Sequence, residues 1–192
     1  MTLHPEAQRK AQEELDRVVG SDRLPTFADR EHLPYVEALV TEVFRWNPVV
    51  PLGAPHRLLE DDVHEGYFIP KGSIVIANVS GFLHDPEVYE DPFNFLPERF
   101  LPEDGKPLPP DSRSYCFGFG RRICPDASVW ILCAMTLAVF NISKSVENGR
   151  VIEPVVEYTT GTIRYMPPAS LRKQLTQAFV FKSATLNRSN AR

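Results

Sequence analysis

The chain has 192 residues, more than one average domain and less than two. Its 43% hydrophobic and 24% charged residues exclude wholesale disorder, and 18 prolines beside only 10 glycines exclude a collagen-like chain. The net charge of −4 hides a split: residues 164–192 hold six basic side chains and no acid, which leaves −10 on residues 1–163 and excludes a nucleic-acid binder by bulk charge.

In chain order, the first element is a surface helix over 5–18, PEAQRKAQEELDRV, with proline in its first turn and Gly20 beyond its end. A turn-rich stretch leads to a second helix over 35–46, YVEALVTEVFRW, stopped by Asn47-Pro48. Its apolar stripe is Val36, Leu39, Val40, Val43 and Phe44. On that wheel Glu42 and Arg45 lie off the stripe, so periodicity alone places them in solvent as an ordinary i,i+3 pair. Residues 63–70 and 73–79 read as two strands joined by a Pro-Lys-Gly turn. Residues 80–115 are proline-rich and carry little periodicity. Phe93, Phe95 and Phe100 favour packed coil there over disorder. Residues 127–142, ASVWILCAMTLAVFNI, read as a helix apolar nearly all round and hence buried. Residues 151–165 read as a β hairpin turning near Gly161.

The longest apolar stretch, Val129 to Phe140, has 12 residues, against roughly 20 for a membrane-spanning helix. The three cysteines, Cys116, Cys124 and Cys133, form no disulfide framework and suit a reducing compartment. With no C-x-x-C pair, a zinc or redox cysteine site has little support. Cys116 and Cys133 read as small hydrophobes. His4, His32, His64 and His84 show no ligand spacing and read as structural or exposed.

The segment Phe117-Gly-Phe-Gly-Arg-Arg-Ile-Cys124-Pro125 carries the chemistry. Gly118 and Gly120 admit backbone conformations closed to other residues and let a flat ligand approach the main chain. A cysteine just before a helix feels the positive end of its dipole, and Arg121 and Arg122 add to that field. Both favour a thiolate, the donor that ferric haem iron takes as a proximal ligand.

This F-x-x-G-x-R-x-C segment resembles the haem-binding loop of the cytochrome P-450 family, the haem-thiolate monooxygenases. Glu42-Val-Phe-Arg45 is similar to the family's E-x-x-R helix motif, and Pro97-Glu98-Arg99-Phe100 to its P-E-R-F motif, in the family's order. The wording of EDPFNFLPERF and FGFGRRICP is most like fungal members. The resemblance covers about residues 1–163. It implies a mainly α fold with small β-sheets, here the C-terminal haem-binding part of the domain; residues 164–192 do not resemble the family's usual ending and read from their own composition as a divergent, poorly ordered basic tail. It implies haem b with Cys124 as the axial iron ligand and Phe117, Gly118, Gly120, Arg122 and His56 around the ring, His56 and Arg122 at its propionates. Glu42, Arg45 and Arg99 are implied as a buried structural triad. No catalytic residue beyond the haem site is implied on this chain. The family reaction inserts one atom of O₂ into a small organic substrate, with electrons from NADPH through a flavoprotein reductase. The resemblance further implies an endoplasmic-reticulum setting for family members, and a cytoplasmic one for a chain without their anchor.

Departures from the family pattern are also legible. The oxygen-activating helix and the N-terminal anchor have no counterpart in this sequence. About five residues are missing where Asp126 follows Pro125, which would shift the following helix by about 7.5 Å and turn its register by about 140°. Two readings therefore stand: a monooxygenase of this family, or a truncated, non-catalytic member that binds haem weakly or not at all.

Overall fold

The computed structural model describes residues 1–124, 127–154 and the backbone of 179–181. Five helices carry it: α1 (Pro5–Val18), α2 (Pro34–Trp46), α3 (Val79–Leu83), α4 (Arg113–Cys116) and α5 (Ala127–Val139). Short strands pair as four two-stranded antiparallel sheets: β1 (His56–Arg57) with β4 (Ile74–Val75), β2 (Asp62–His64) with β3 (Tyr67–Ile69), β5 (Phe140–Ile142) with β8 (Phe179–Phe181), and β6 (Val146–Glu147) with β7 (Arg150–Val151). The architecture is mainly helical with small sheets.

The core forms where α1, α2 and α5 meet. Ala7, Ala11 and Leu15 of α1 pack with Val36, Leu39 and Val40 of α2 and with Trp130, Ala134 and Leu137 of α5. The α2 stripe read from the sequence is thus the core face. Polar side chains of α1 fix its neighbours. The Glu14 carboxylate accepts from the Tyr35 and Val36 amides at 3.0 and 2.9 Å, which satisfies two otherwise orphaned donors at the start of α2. Gln12 donates to the carbonyls of Leu137 and Phe140 at 3.1 and 3.0 Å, and so caps the end of α5. Gln8 pairs with both backbone groups of Ile142.

Several expectations change. Residues 63–70 and 73–79 do not pair with each other. The first segment folds on itself: His64 and Tyr67 are register partners across Glu65-Gly66, both with positive φ (50° and 85°). That is the geometry of a primed two-residue turn, whose twist matches the strands. The second segment sends Ile74 and Val75 to Arg57 and His56 instead. The last apolar helix stops at Val139, and 140–142 continue as a strand. The helix is also not buried all round: Trp130 is 1% exposed, whereas Leu132 is 62% exposed. Because its sequence is apolar on every face, α5 can present an apolar surface to α1 and α2 in any register, and the unused face is left outward. The Pro125-Asp126 junction lies outside the described residues, as do the expected hairpin beyond 154 and almost all of the 164–192 tail. A hairpin does occur just upstream, at Val146–Val151 around Asn148-Gly149.

Between α3 and α4, the chain is packed coil apart from the 3-10 turn Pro97–Phe100. Val79, Leu83 and Tyr89 form a second small core, and the Tyr89 hydroxyl donates to the Pro110 carbonyl at 2.9 Å. Burial pushes the Tyr89 phenol up, so it stays a donor.

Candidate functional site

Two structural features bear on chemistry: a buried charge cluster on α2 and a cavity beside it. Contrary to the periodicity reading, Glu42 and Arg45 are both 0% exposed. The Arg45 guanidinium grips the Glu42 carboxylate with two bonds, Nε to Oε2 at 2.7 Å and Nη2 to Oε1 at 2.9 Å. Its other donors reach the carbonyls of Leu83, Pro92 and Asn94 at 2.8, 2.7 and 3.1 Å. Arg45 also lies over the Tyr89 ring, 5.4 Å from its centroid. Glu42 Oε1 accepts from the Leu96 amide at 2.8 Å. Arg99, on the 3-10 turn Pro97–Phe100, brings Nε to 3.2 Å from Glu42 Oε2, an ion contact without hydrogen-bond alignment. Arg99 donates as well to the carbonyls of Glu90, Asp91 and Asn94. The carboxylate and two guanidiniums therefore tie the coil at 83–99 to α2. Outside the 3-10 turn the coil has no helical or sheet ladder, so its buried carbonyls need such donors.

A helical wheel could not reveal this burial, because the surface covering Glu42 and Arg45 comes from coil more than 35 residues away in sequence. Nearby, the Trp46 indole donates to the Phe93 carbonyl at 2.8 Å. His4 packs its ring against Trp46 and Phe95, and His84 stacks on Phe93. His32 and His64 are exposed.

The cavity measures about 430 Å³ and is mostly apolar. Phe44 of α2, Val49, Val50 and Ala54 form one wall, and Ala77 and Val79 another. The third wall is the segment Tyr115 to Phe119 together with Cys124. His56, exposed on β1, stands at the rim. The cysteine loop closes on itself: the Cys124 amide donates to the Phe117 carbonyl at 2.8 Å. Between them run Gly118 and Gly120, with φ of 84° and 70°, and a Cβ on either would meet nothing within 4 Å. Their requirement is for the left-handed backbone, not for lack of room. The Phe117 ring meets the Phe44 ring edge-on, 4.9 Å between centroids, and so anchors the loop to α2.

The cysteines differ in setting. Burial pushes the Cys116 thiol up to about 12 and raises that of Cys133 too, while Cys124 lies exposed at the cavity wall. Thus the structure gathers Phe117, Gly118, Cys124 and His56 around one cavity, with Gly120 inside the same loop. Arg122 lies in the 3-10 turn Gly120–Arg122, and its side chain is outside what the structure describes. Sequence reasoning missed Phe44 and Tyr115 as wall residues; nothing in their local pattern separates them from core.

Among the described residues no group of three His, Cys, Asp or Glu could hold a bare metal ion. The geometry at Cys124 is that of one thiol in an apolar wall, which suits a metal that brings most of its own ligands.

The class defined by this scaffold is a helical protein with a cysteine-loop cavity and a charge-locked coil. Comparison with known proteins places it further. The cytochrome P450 family profile matches residues 1–126. Among curated relatives, the chain is 60% identical over 173 residues to cytochrome P450 monooxygenase 208 of Postia placenta, covering 88% of this chain and 34% of that protein. It is 52% identical over 174 residues to cytochrome P450 monooxygenase claR of Ampulloclitocybe clavipes, covering 88% and 32%. It is 45% identical over 181 residues to tryptamine 4-monooxygenase of Psilocybe cyanescens, covering 90% and 36%. The chain belongs to the cytochrome P450 family, and it spans about a third of the length of the relatives it matches.

Proposed function

We propose that this chain supplies the cysteine-side wall of a haem-thiolate monooxygenase, with Cys124 as the axial ligand of haem b. The observation that carries this reading is the loop itself: a thiol held in the wall of an apolar concavity by the Cys124–Phe117 backbone bond. The residues fit the group. The cavity is concave and apolar, space is open around Gly118 and Gly120, and of the two cysteines on its wall Cys124 is the exposed one, while the Cys116 thiol donates to the Phe44 carbonyl.

Within that reading Phe44 and Phe117 would give the haem an apolar wall to pack on, and Gly118 and Gly120 would shape the loop. His56 and Arg122 neutralise the propionates. Glu42, Arg45 and Arg99 hold the coil that supports the loop. Bound there, haem supplies the activation of molecular oxygen, one atom going to a small organic substrate and the other to water. Electrons come from NADPH through a flavoprotein reductase. Residues 1–163 act as part of one domain, with 164–192 as a basic extension. No helix among the described residues is long and apolar enough to cross a membrane.

The test is a haem titration of the purified chain followed by a spectrum of the reduced carbonyl complex. Stoichiometric retention with a thiolate-type Soret band supports the reading. A histidine-type band, or no retained pigment, overturns it.

A further inference from the structure

The cavity is lined by two cysteines, and only one can be the ligand of the reading above, on which this inference rests. Cys116 ends the short helix α4, immediately before Phe117. Its Sγ donates to the Phe44 carbonyl at 3.4 Å. That carbonyl belongs to the last turn of α2, where carbonyls lack an intrahelical partner. The Asn47 amide serves Val43 one position earlier. Phe44 therefore holds the loop at two points, its carbonyl on Cys116 and its ring on Phe117. Phe117 in turn offers its carbonyl to the Cys124 amide. The chain of contacts runs from the end of α2 through Cys116 and Phe117 to the backbone of the candidate iron ligand.

We propose that Cys116 is a positioning residue: its thiol latches the cysteine loop to the end of α2 and so sets where Cys124 presents its sulfur. Burial keeps that thiol protonated, which preserves it as a donor and withholds it as a competing thiolate. A serine here would keep a donor on a shorter bond, and an alanine would remove it.

Hydrogen exchange of the Cys124 amide in the haem-free chain reads the latch directly. In Cys116→Ala this amide should exchange on the order of fivefold faster, the scale of one weak hydrogen bond. Cys116→Ser should fall between alanine and the unaltered chain, and the amides of α2 should not change. An unchanged Cys124 amide in Cys116→Ala overturns the proposal. So does equal acceleration in α2, which would mean general destabilisation. After haem loading, Cys116→Ala should lower the thiolate-type fraction of the reduced carbonyl spectrum, and Cys116→Ser should restore part of it. If the unaltered chain retains no haem, the monooxygenase reading fails, while the exchange result still decides the latch.

Discussion

Glu42 and Arg45 stand one helical turn apart on α2, joined by two hydrogen bonds of 2.7 and 2.9 Å, with neither side chain exposed to water. A buried pair of this kind is weak evidence for net stability, because desolvation of both charges opposes their attraction. Breaking it is another matter. In Arg45→Leu, Arg99 is the remaining cation beside Glu42, and the carbonyls of Leu83 and Pro92 lose their Arg45 donor, while that of Asn94 keeps only Arg99.

Arg45→Leu is therefore expected to cost about 3–5 kcal/mol. Arg45→Lys should recover only part of this, since an ammonium cannot reproduce the fork that spans Glu42 and the carbonyls. Urea unfolding followed by circular dichroism measures both. A loss under about 1 kcal/mol for the leucine variant would show that the coil does not depend on this lock.

The three-helix core gives an independent expectation. Trp130 is buried among α1 and α2 residues, stacked on Phe27 and covered by Arg30. Trp130→Ala should lower stability by about 3–5 kcal/mol through the cavity it leaves. Leu132→Ser, on the outward face of the same helix, should change it by less than about 0.5 kcal/mol. Equal effects of the two would mean that α5 docks by a different face.

These contrasts mark what the sequence could and could not reveal. Helices α1 and α2 were legible because the proline start of the first, the apolar spacing of the second and the stops of both are local signals. Within the cysteine loop, the unusual backbone at Gly118 and Gly120 was legible because glycine is the residue that adopts positive φ freely. The Glu65-Gly66 turn was missed because glutamate is not a usual left-handed residue, and the sheet then pairs β1 with β4 across intervening chain. The burial of Glu42 and Arg45, implied by the family resemblance but denied by periodicity, depends on segments distant in sequence, as do the Glu14 cap on α2 and the pairing of β5 with β8. No periodicity reports such contacts. The helix after the cysteine loop was misjudged for the opposite reason: uniform apolarity carries no information on which face docks.

Acid should unfold the protein in a defined window. Burial alone would raise Glu37, but hydrogen bonds from Arg30 and Arg113 outweigh it and hold its carboxyl below the usual range. Asp111, beside Arg113, and Glu98, beside Lys10 and Tyr35, are also lowered against burial. Groups with depressed folded values contribute stability that is complete above their unfolded value of about 4 and disappears as pH falls through the folded one. Stability should thus be flat from about pH 7 to 5 and fall below about pH 4. Glu37→Gln should cost about 1 kcal/mol at pH 7, and the deficit should shrink as pH falls below about 4. Thermal unfolding across this range checks it; a variant deficit that grows toward acid would reverse the sign.

Thiol chemistry separates the cysteines. Cys116 and Cys133 are half-buried with raised values, and Cys124 is exposed. Iodoacetamide at pH 8 should label Cys124 at least about tenfold faster than either, as read by peptide mass spectrometry. Comparable labelling of Cys116 would mean that its thiol is not sequestered under α2.

The most direct measurement compares the reduced carbonyl spectra of the haem-loaded chain and of Cys124→Ala. A thiolate-type Soret band is expected for the unaltered chain and should vanish in the variant, while Cys133→Ala keeps it. Persistence of that band without the Cys124 sulfur, or its absence from the unaltered chain, would contradict the assignment of Cys124 as the iron ligand.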